Sequence, residues 1–233
     1  VENNYWRSSG RGGMGAVLGS KKVKAIVFHG RIPAPVADES ALKEFVNGLV
    51  AASRDLPAVK NYRRYGTPQM VALLNTAQAF PTRYWSRGTL PGWEKISGEA
   101  LVGGSGFDVR PRSCPNCFLA CGKLTTISSG PYAGLRIEGP EYETIYAFGG
   151  LCCIDRLEDI IYLNDICDRL GMDTISAGNL VALAMEARER GVGPEFPRYG
   201  DANGAARLLE EMAFRKGPGA VFADGIVKAA QCL

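Results

Sequence analysis

The segment Arg110-Pro-Arg-Ser-Cys114-Pro-Asn-Cys117-Phe-Leu-Ala-Cys121-Gly122 is the most informative stretch of the chain. Its Cys-x2-Cys spacing lets two thiolates face one centre from a tight turn. The further x3 step places the third thiolate about one helical turn along, on the same side. Soft thiolates grouped in this way select an iron–sulfur cluster or a zinc ion.

A site built from four thiolates needs one more cysteine. The candidates are Cys152, Cys153, Cys167 and Cys232. Each lies in an apolar or helical context, where a buried thiol is the commoner occurrence. We therefore expect the fourth ligand to come from outside this chain. A zinc knuckle with a distant fourth ligand, or a set of metal-free structural cysteines, would also explain the spacing.

Length and composition are those of an ordinary globular protein. The 233 residues, 46% hydrophobic and 22% charged, suffice for one large domain or two small ones. A net charge of +3 is too small to imply a nucleic-acid partner or an anionic membrane. No apolar run approaches the ~20 residues of a membrane-spanning helix. Seven cysteines, an odd number, do not form a disulfide scaffold and indicate a reducing, cytoplasmic compartment.

A glycine-rich loop, Arg11-Gly-Gly-Met-Gly15-Ala-Val-Leu-Gly19-Ser-Lys-Lys22, precedes the apolar segment 23–28. It matches neither common nucleotide-binding template. A P-loop has four residues between its glycines, and a dinucleotide fingerprint follows its strand rather than preceding it. Consecutive glycines let backbone N–H groups approach an anion, and the neighbouring basic side chains supply positive charge. By itself the pattern also fits an ordinary glycine-rich turn.

Two acidic motifs follow the cysteines. Gly139-Pro-Glu141-Tyr-Glu143-Thr144 places two carboxylates at the start of a helix, where the helix dipole favours negative charge. Asp168-Arg-Leu-Gly171-Met172-Asp173 is typical of a helix end, a glycine stop and the N-cap of the next helix. Taken alone, both motifs are explained by helix termini.

The proline-stiffened segment 32–40 divides the chain into two parts. We interpret residues 1–37 as the C-terminal end of a β-rich domain, with a strand at 23–28. Residues 38–233 are then a mainly helical domain, which makes the fold α+β. Helical periodicity begins after Asp38 or Ser40, either of which can cap the first helix. We interpret the stretch 80–113 as long irregular chain.

The later elements are predicted from periodicity and turn residues. A hairpin is predicted over residues 123–127 and 132–138. Helices are predicted over 141–148, 155–170, 174–190, 203–216 and 219–231. The predicted N-caps are Asp155, Asp173 and Asp201, and the predicted C-terminal stops are Gly171, Gly191 and Gly217.

Occurring together in this order, four segments resemble the aldehyde ferredoxin oxidoreductase family. They are GRGGMGAVLGSKKVKAI (10–26), CPNCFLAC (114–121), GPEYET (139–144) and DRLGMDTISAGN (168–179). The resemblance implies a tungsten or molybdenum centre held by two pterin dithiolenes, with a [4Fe–4S] cluster nearby. It also implies that residues 1–37 end a β-rich pterin-binding domain and that residues 38–233 form most of the family's helical domain.

The resemblance assigns pterin contacts to two motifs. In the glycine-rich loop, the residues that would contact the pterin phosphates are Arg11, Gly12, Gly13 and Met14. The backbone carbonyl of Gly12 would also help to hold a magnesium ion that bridges the two pterins. In the later turn, the residues that would hydrogen-bond a pterin ring are Asp168, Asp173 and, through its backbone, Met172. Methionine stands there where the family's Asp-x-x-Gly-Leu-Asp motif has leucine.

The resemblance also assigns the redox chemistry. Glu143 matches a carboxylate near the metal, and Cys114, Cys117 and Cys121 match three cluster ligands. The implied reaction is the two-electron oxidation of an aldehyde to a carboxylic acid, with Glu143 exchanging a proton. Electrons would leave through the cluster to ferredoxin or a partner subunit, in a homo- or hetero-oligomer.

Two parts of the family pattern match no position here. They are a second motif, Asp-x-x-Gly-Leu-Cys, which supplies the fourth cluster cysteine, and a histidine near the metal, since His29 lies in the wrong place. We therefore expect an internal section that the remainder of the same polypeptide completes. Three other functions stay open: reductive chemistry such as ring reduction of an aromatic coenzyme A thioester, a plain iron–sulfur electron carrier, and a zinc-stabilised structural domain.

Overall fold

The structure, a computed structural model, describes residues 2–3, 7–8 and 11–233, and has an α+β fold. The helices are α1 (Met14–Ser20), α2 (Glu39–Ser53), α3 (Pro57–Tyr65), α4 (Met70–Thr76), α5 (Gly98–Gly103), α6 (Tyr142–Thr144), α7 (Leu157–Leu170), α8 (Thr174–Glu189), α9 (Ala202–Phe214) and α10 (Ile226–Cys232). The strands are β1 (Glu2–Asn3), β2 (Arg7–Ser8), β3 (Phe107–Arg112), β4 (Gly122–Ile127) and β5 (Arg136–Glu138). Among the described residues, no helix has the length and apolar character needed to cross a bilayer.

The three-stranded sheet flanks the cysteine loop. Strands β3 and β4 pair antiparallel with Arg112 opposite Gly122, so that the loop 113–121 connects two paired strand ends. Strand β5 pairs with the other edge of β4, which confirms the predicted hairpin. The prediction of irregular chain over 80–113 was wrong for α5 and β3. The alternation of β3 runs only from Phe107 to Arg110, where exposed Asp108 and Arg110 alternate with half-buried Phe107 and Val109, and Pro111 then breaks it, so the signal in the sequence is short.

The helical predictions hold where a local capping bond defines the end. Asp38, Asp173 and Asp201 each accept a hydrogen bond from a backbone N–H in the first turn of α2, α8 and α9. Gly171 ends α7 in the left-handed conformation, with φ 68°. The prediction of Asp155 as an N-cap was wrong, because α7 begins at Leu157 and Asp155 pairs with Lys95 at 2.8 Å instead.

Two predicted helices are interrupted. The segment 141–148 is the short helix α6 followed by a π-helix, Ile145–Gly150. The segment 219–231 is a 3-10 helix, Gly217–Phe222, followed by α10 after Gly225, whose φ of 92° breaks the helical path. The left-handed residue after α9 is Arg215 rather than the predicted stop Gly217.

The hydrophobic core lies where α7, α8 and α9 pack together with the π-helix. Gly178 permits the closest approach between α8 and the π-helix. A Cβ atom at Gly178 would lie 2.6 Å from the Ala147 Cβ and 2.8 Å from the Ala147 carbonyl carbon. This packing holds the start of α6 and the start of α8 side by side, and both of these helix starts carry acidic motifs.

The apolar segment 23–28 does not form the predicted strand. Its residues are in coil, and Val27 and Phe28 are 88% and 90% exposed. Within the part of the chain that the structure describes, no strand lies beside this segment to complete a ladder. Helix α2 forms as predicted, but the apolar face that includes Phe45 and Leu49 is exposed. Gly10, the first residue of the quoted glycine-rich segment, lies outside the described residues.

Candidate functional site

The glycine-rich loop and the second acidic motif meet in the folded chain. The guanidinium of Arg11 donates from Nη1 to Oδ2 of Asp173 over 2.8 Å. The same Asp173 oxygen accepts from the backbone N–H of Ser176 at 2.9 Å and from its hydroxyl at 2.7 Å. Asp173 therefore caps α8 and binds the loop with one carboxylate, which places its side chain firmly.

Gly12 and Gly13 form the turn that leads into α1. Both have left-handed backbones, with φ of 78° and 74°, which favour glycine. A Cβ atom on either residue would meet nothing within 4 Å, and Met14 at the start of α1 is 62% exposed. The backbone groups of this turn are therefore exposed.

Tyr146 connects the first acidic motif with the Arg11–Asp173 pair. Burial raises the pKa of the Tyr146 hydroxyl, and the negative charges of Glu143 and Asp173 raise it further, while Arg11 lowers it. All three charged groups therefore lie near one phenol. Thr144 donates from its hydroxyl to the Thr174 hydroxyl at 2.9 Å, which joins the starts of α6 and α8.

The two glutamates of the first acidic motif have different surroundings. Glu141 accepts a short hydrogen bond from the Thr67 hydroxyl, and that hydroxyl in turn accepts from the Tyr142 N–H at 2.9 Å. Glu143 is exposed, and its charge acts on the phenols of Tyr142 and Tyr146, whose ring centroids are 5.4 Å apart. Burial, with Tyr146 and Glu143 adding to it, raises the pKa of Tyr142 to about 12. Glu143 is thus the carboxylate available to a ligand.

The second acidic turn has its own internal support. Asn164 donates from Nδ2 to Asp168 Oδ2 at 2.8 Å, and the Met172 N–H donates to the Cys167 carbonyl at 2.8 Å. A backbone contact from Met172 to a ligand would therefore use its carbonyl. Burial raises the pKa of the Cys167 thiol, and the charges of Asp168 and Asp173 raise it further, so this thiol lies behind the turn in its neutral form.

Sequence reasoning missed the aromatic side of this site. Arg83, Tyr84 and Trp85 have consecutive positive φ angles of 46°, 43° and 66°, which is rare for residues with side chains. This turn presents Trp85, whose indole N–H donates to Asn179 Oδ1 at 2.9 Å and whose ring meets Tyr146 edge-on. The sequence of this stretch gave no signal beyond its aromatic content. The turn is held by hydrogen bonds from the N–H groups of Arg83 and Tyr84 to the carbonyls of Gly150 and Leu151, which are distant in the chain.

A cavity opens between Arg11 and the first turns of α8. Its walls combine the polar side chains of Arg11, Ser176 and Asn179 with the apolar side chains of Ile175, Leu180 and Ile226. The Arg11 guanidinium at its edge and the exposed glycine turn next to it suit an anionic group such as a pterin phosphate, which backbone N–H groups and a guanidinium can bind. The residues present here therefore fit the cofactor that the resemblance implies.

The three cysteines of the Cys-x2-Cys-x3-Cys loop lie outside the core. Cys114 and Cys117 are exposed, Cys121 is half-buried, and none forms a disulfide. The Cys117 N–H donates to the Cys114 carbonyl at 3.1 Å, which closes the predicted tight turn. Within residues 11–233, no three side chains of Cys, His, Asp or Glu converge closely enough to hold a metal ion.

The donor types in this loop nevertheless fit an iron–sulfur cluster. Accessible thiols from one short segment are the ligands that such clusters take. Thiolates repel one another until a cation lies between them, so their final convergence is coupled to metal binding. Cys152 and Cys167 differ, because both are buried and burial raises the pKa of both thiols, whereas Cys153 is half-buried and Cys232 is exposed.

A buried lysine lies directly under this loop. Lys123, the second residue of β4, is 2% exposed, and its ammonium donates to backbone carbonyls of the loop. Burial lowers the pKa of Lys123, whereas the negative charges of Cys121 and Glu141 raise it. The Lys123 ammonium therefore contacts the cysteine loop and lies in the electrostatic field of Glu141.

Comparison with known proteins supports a single family over nearly the whole chain. The model "Aldehyde ferredoxin oxidoreductase, domains 2 & 3" matches residues 44–233, and the model of the N-terminal domain of the same family matches residues 1–30. The tungsten-containing aldehyde ferredoxin oxidoreductases of Pyrococcus furiosus and Thermococcus kodakarensis are each 35% identical over 99% of this chain. In both cases the chain spans 38% of the relative's length.

Two further proteins extend the comparison. The WOR-like subunit of an aliphatic sulfonate oxidoreductase from Pyrococcus furiosus is 28% identical over 99% of this chain, which spans 37% of that subunit. The active site complex BamBC of benzoyl coenzyme A reductase, solved with 1,5-dienoyl-CoA, has a similar fold. The TM-score is 0.66 at 22% identity, covering 95% of this chain and 35% of the other.

Proposed function

Because the chain belongs to the aldehyde ferredoxin oxidoreductase family, we propose that this protein oxidises aldehydes to carboxylic acids and passes the electrons on through a [4Fe–4S] cluster. The reaction consumes an aldehyde and water, and yields a carboxylic acid, two electrons and two protons. The observation that carries the proposal is the meeting of three motifs: Arg11 binds Asp173, and Glu143 lies beside them across Tyr146.

The pterin contacts that we propose come from two sides of the candidate site. On one side, the residues are Arg11, Gly12, Gly13 and Met14, with the Gly12 carbonyl also holding a magnesium ion. On the other side, the residues are Asp168, Asp173 and the backbone of Met172. When bound, the tungsten– or molybdenum–pterin centre would supply the two-electron redox chemistry.

Glu143 is proposed as the proton carrier of the reaction. Its carboxylate is exposed at the start of α6, so a small aldehyde can reach it. Tyr142 and Tyr146 pack behind it, and burial raises the pKa of both phenols, so they remain neutral hydrogen-bond donors. A carboxylate in this position can take a proton as the substrate is oxidised and release it to solvent afterwards.

Cys114, Cys117 and Cys121 are proposed as three of the four cluster ligands. The fourth cysteine and a histidine near the metal would come from the remainder of the polypeptide. Ferredoxin or an electron-transfer subunit would then accept electrons one at a time, in a cytoplasmic homo- or hetero-oligomer. The division into residues 1–37 and 38–233 is part of the same proposal.

Metal analysis of the full-length protein tests the proposed function. We expect tungsten or molybdenum together with iron, and reduction of a viologen dye that depends on an added aldehyde. Iron without tungsten or molybdenum would instead indicate an electron carrier, and zinc alone a structural domain. Full metal content, no aldehyde-dependent reduction of viologen, and oxidation of reduced viologen that depends on an aromatic coenzyme A thioester would together indicate reductive chemistry of the benzoyl-CoA type.

A further inference from the structure

Lys123 makes an unusual set of contacts for a buried lysine. Its Nζ lies 3.0 Å from the Cys121 carbonyl, 3.2 Å from the Ala120 carbonyl and 3.2 Å from the Gly122 carbonyl. A fourth carbonyl, that of Tyr62 in α3, lies at 3.5 Å. Three of these acceptors are consecutive residues, the last two of the cysteine loop and the first of β4.

Such an arrangement stabilises a charge that burial would otherwise penalise. A buried ammonium is costly unless its three N–H groups find acceptors. Here the acceptors are backbone carbonyls, whose partial negative charges point at the ammonium. The lysine thereby also satisfies carbonyls of a loop whose residue Ala120 has a φ of 49°, a conformation outside the regular hydrogen-bonding patterns.

Gly66, at the end of α3, packs closely against the end of the cysteine loop. Gly66 ends α3 with a φ of 69°, and a Cβ atom built on it would lie 2.5 Å from the Cys121 carbonyl oxygen. The same Cβ would lie 3.5 Å from the Lys123 Cε. The end of α3 thus approaches the third cysteine from one side, while the lysine holds its carbonyl from another.

We propose that Lys123 is a positioning residue for the iron–sulfur cluster: its ammonium fixes the backbone at Cys121 and lies beside that cluster ligand. The proposal rests on the assignment of Cys121 as a cluster ligand under the proposed function. A fixed positive charge close to a cluster favours the reduced form, which carries one more negative charge. Lys123 therefore raises the reduction potential of the cluster. The end of α3 packs against the loop at Cys121 and limits its movement.

The test uses the full-length protein and the variant Lys123→Met, which keeps the length of the side chain but removes the charge. We expect a lower iron-to-tungsten or iron-to-molybdenum ratio than in the unmodified protein. In the cluster that remains, potentiometric titration followed by electron paramagnetic resonance should give a more negative midpoint potential. Thr125→Val is the matched control, because Thr125 is buried in the same strand and the change removes a hydroxyl but no charge.

The possible outcomes separate this proposal from the proposed function. If the unmodified protein holds no iron, the cluster assignment itself fails. If it holds a cluster and Lys123→Met shows the same potential and iron ratio, Lys123 has no positioning role. If Thr125→Val changes the midpoint potential and the iron ratio by the same amount, the cause is a general destabilisation of β4, and the proposed role of the Lys123 charge is wrong.

A second variant decides the matter if Lys123→Met does not fold. Gly66→Ala keeps the lysine but forces the Cys121 carbonyl away from its present position. We expect this variant to lose iron selectively while tungsten or molybdenum is retained. A normal iron ratio in Gly66→Ala would show that the backbone at Cys121 needs no such support, and the proposal would be wrong.

Discussion

Arg11 and Asp173 form an ion pair at 2.8 Å although 162 residues separate them in the chain. The pair contributes little to stability by itself, because Arg11 is 62% exposed and exposed ion pairs typically contribute ~0–1 kcal/mol. Its consequence is positional. It ties the start of the glycine turn to the N-terminus of α8, so that the two proposed pterin-binding segments lie side by side.

Asp173→Ala should lower tungsten or molybdenum content and also destabilise the fold. The substitution removes the cap of α8, which typically costs about 1 kcal/mol, together with the partner of Arg11. Metal content and the free energy of unfolding are measured on the same samples. Asp201→Ala is the matched control, because Asp201 caps α9 by the same bond to a backbone N–H, at 2.8 Å, away from the candidate site. Equal metal loss in both variants would show that capping alone explains the result.

Glu143→Gln should lower aldehyde-dependent dye reduction by ~10²–10⁴-fold, the usual contribution of a general acid or base. Glutamine keeps the size of the side chain but does not exchange a proton, so metal and iron content should stay normal. Glu141→Gln is the control, since Glu141 is engaged by the Thr67 hydroxyl. If Glu141→Gln is the inactive variant instead, the roles of the two carboxylates are reversed.

Alanine at Cys114, Cys117 or Cys121 should each abolish most of the cluster iron and its brown absorbance, because each removes one of few ligands. Alanine at Cys152 or Cys232 should leave iron content unchanged. Cys152 is buried and contacts the Ala147 carbonyl through its sulfur at 3.4 Å, as expected for a core thiol. Full iron content in the Cys114 variant would contradict the ligand assignment.

Gly178→Ala should destabilise the fold by about 1–3 kcal/mol, the usual cost of inserting a methyl group into a filled core. The new Cβ would lie under 3 Å from the backbone of Ala147, which has to move. Chemical denaturation measures the change. Gly48→Ala is the control within a helix, because a Cβ there meets nothing within 4 Å and alanine favours helix over glycine. Similar losses in both variants would exclude the close approach as the cause.

Much of the local structure could be predicted from the sequence. The caps Asp173 and Asp201, the choice of Asp38 or Ser40 as the cap of α2, and the glycine stop after α7 could be predicted because each depends on contacts within a few residues. The prediction failed for the segment 23–28. A strand requires a partner from elsewhere in the chain, and residues with strong β propensity stay in coil when none is adjacent.

The roles of the site residues divide in the same way. The order of the four motifs was enough to indicate the family, and with it the proposed pterin and cluster residues. The spacing of residues within each motif is a property of the sequence itself. Only the tertiary structure decided that Arg11 reaches Asp173, that Lys123 lies beneath the cysteine loop and that Trp85 faces Asn179. Contacts of this kind depend on how distant elements pack, and packing is determined by the whole core rather than by any local pattern.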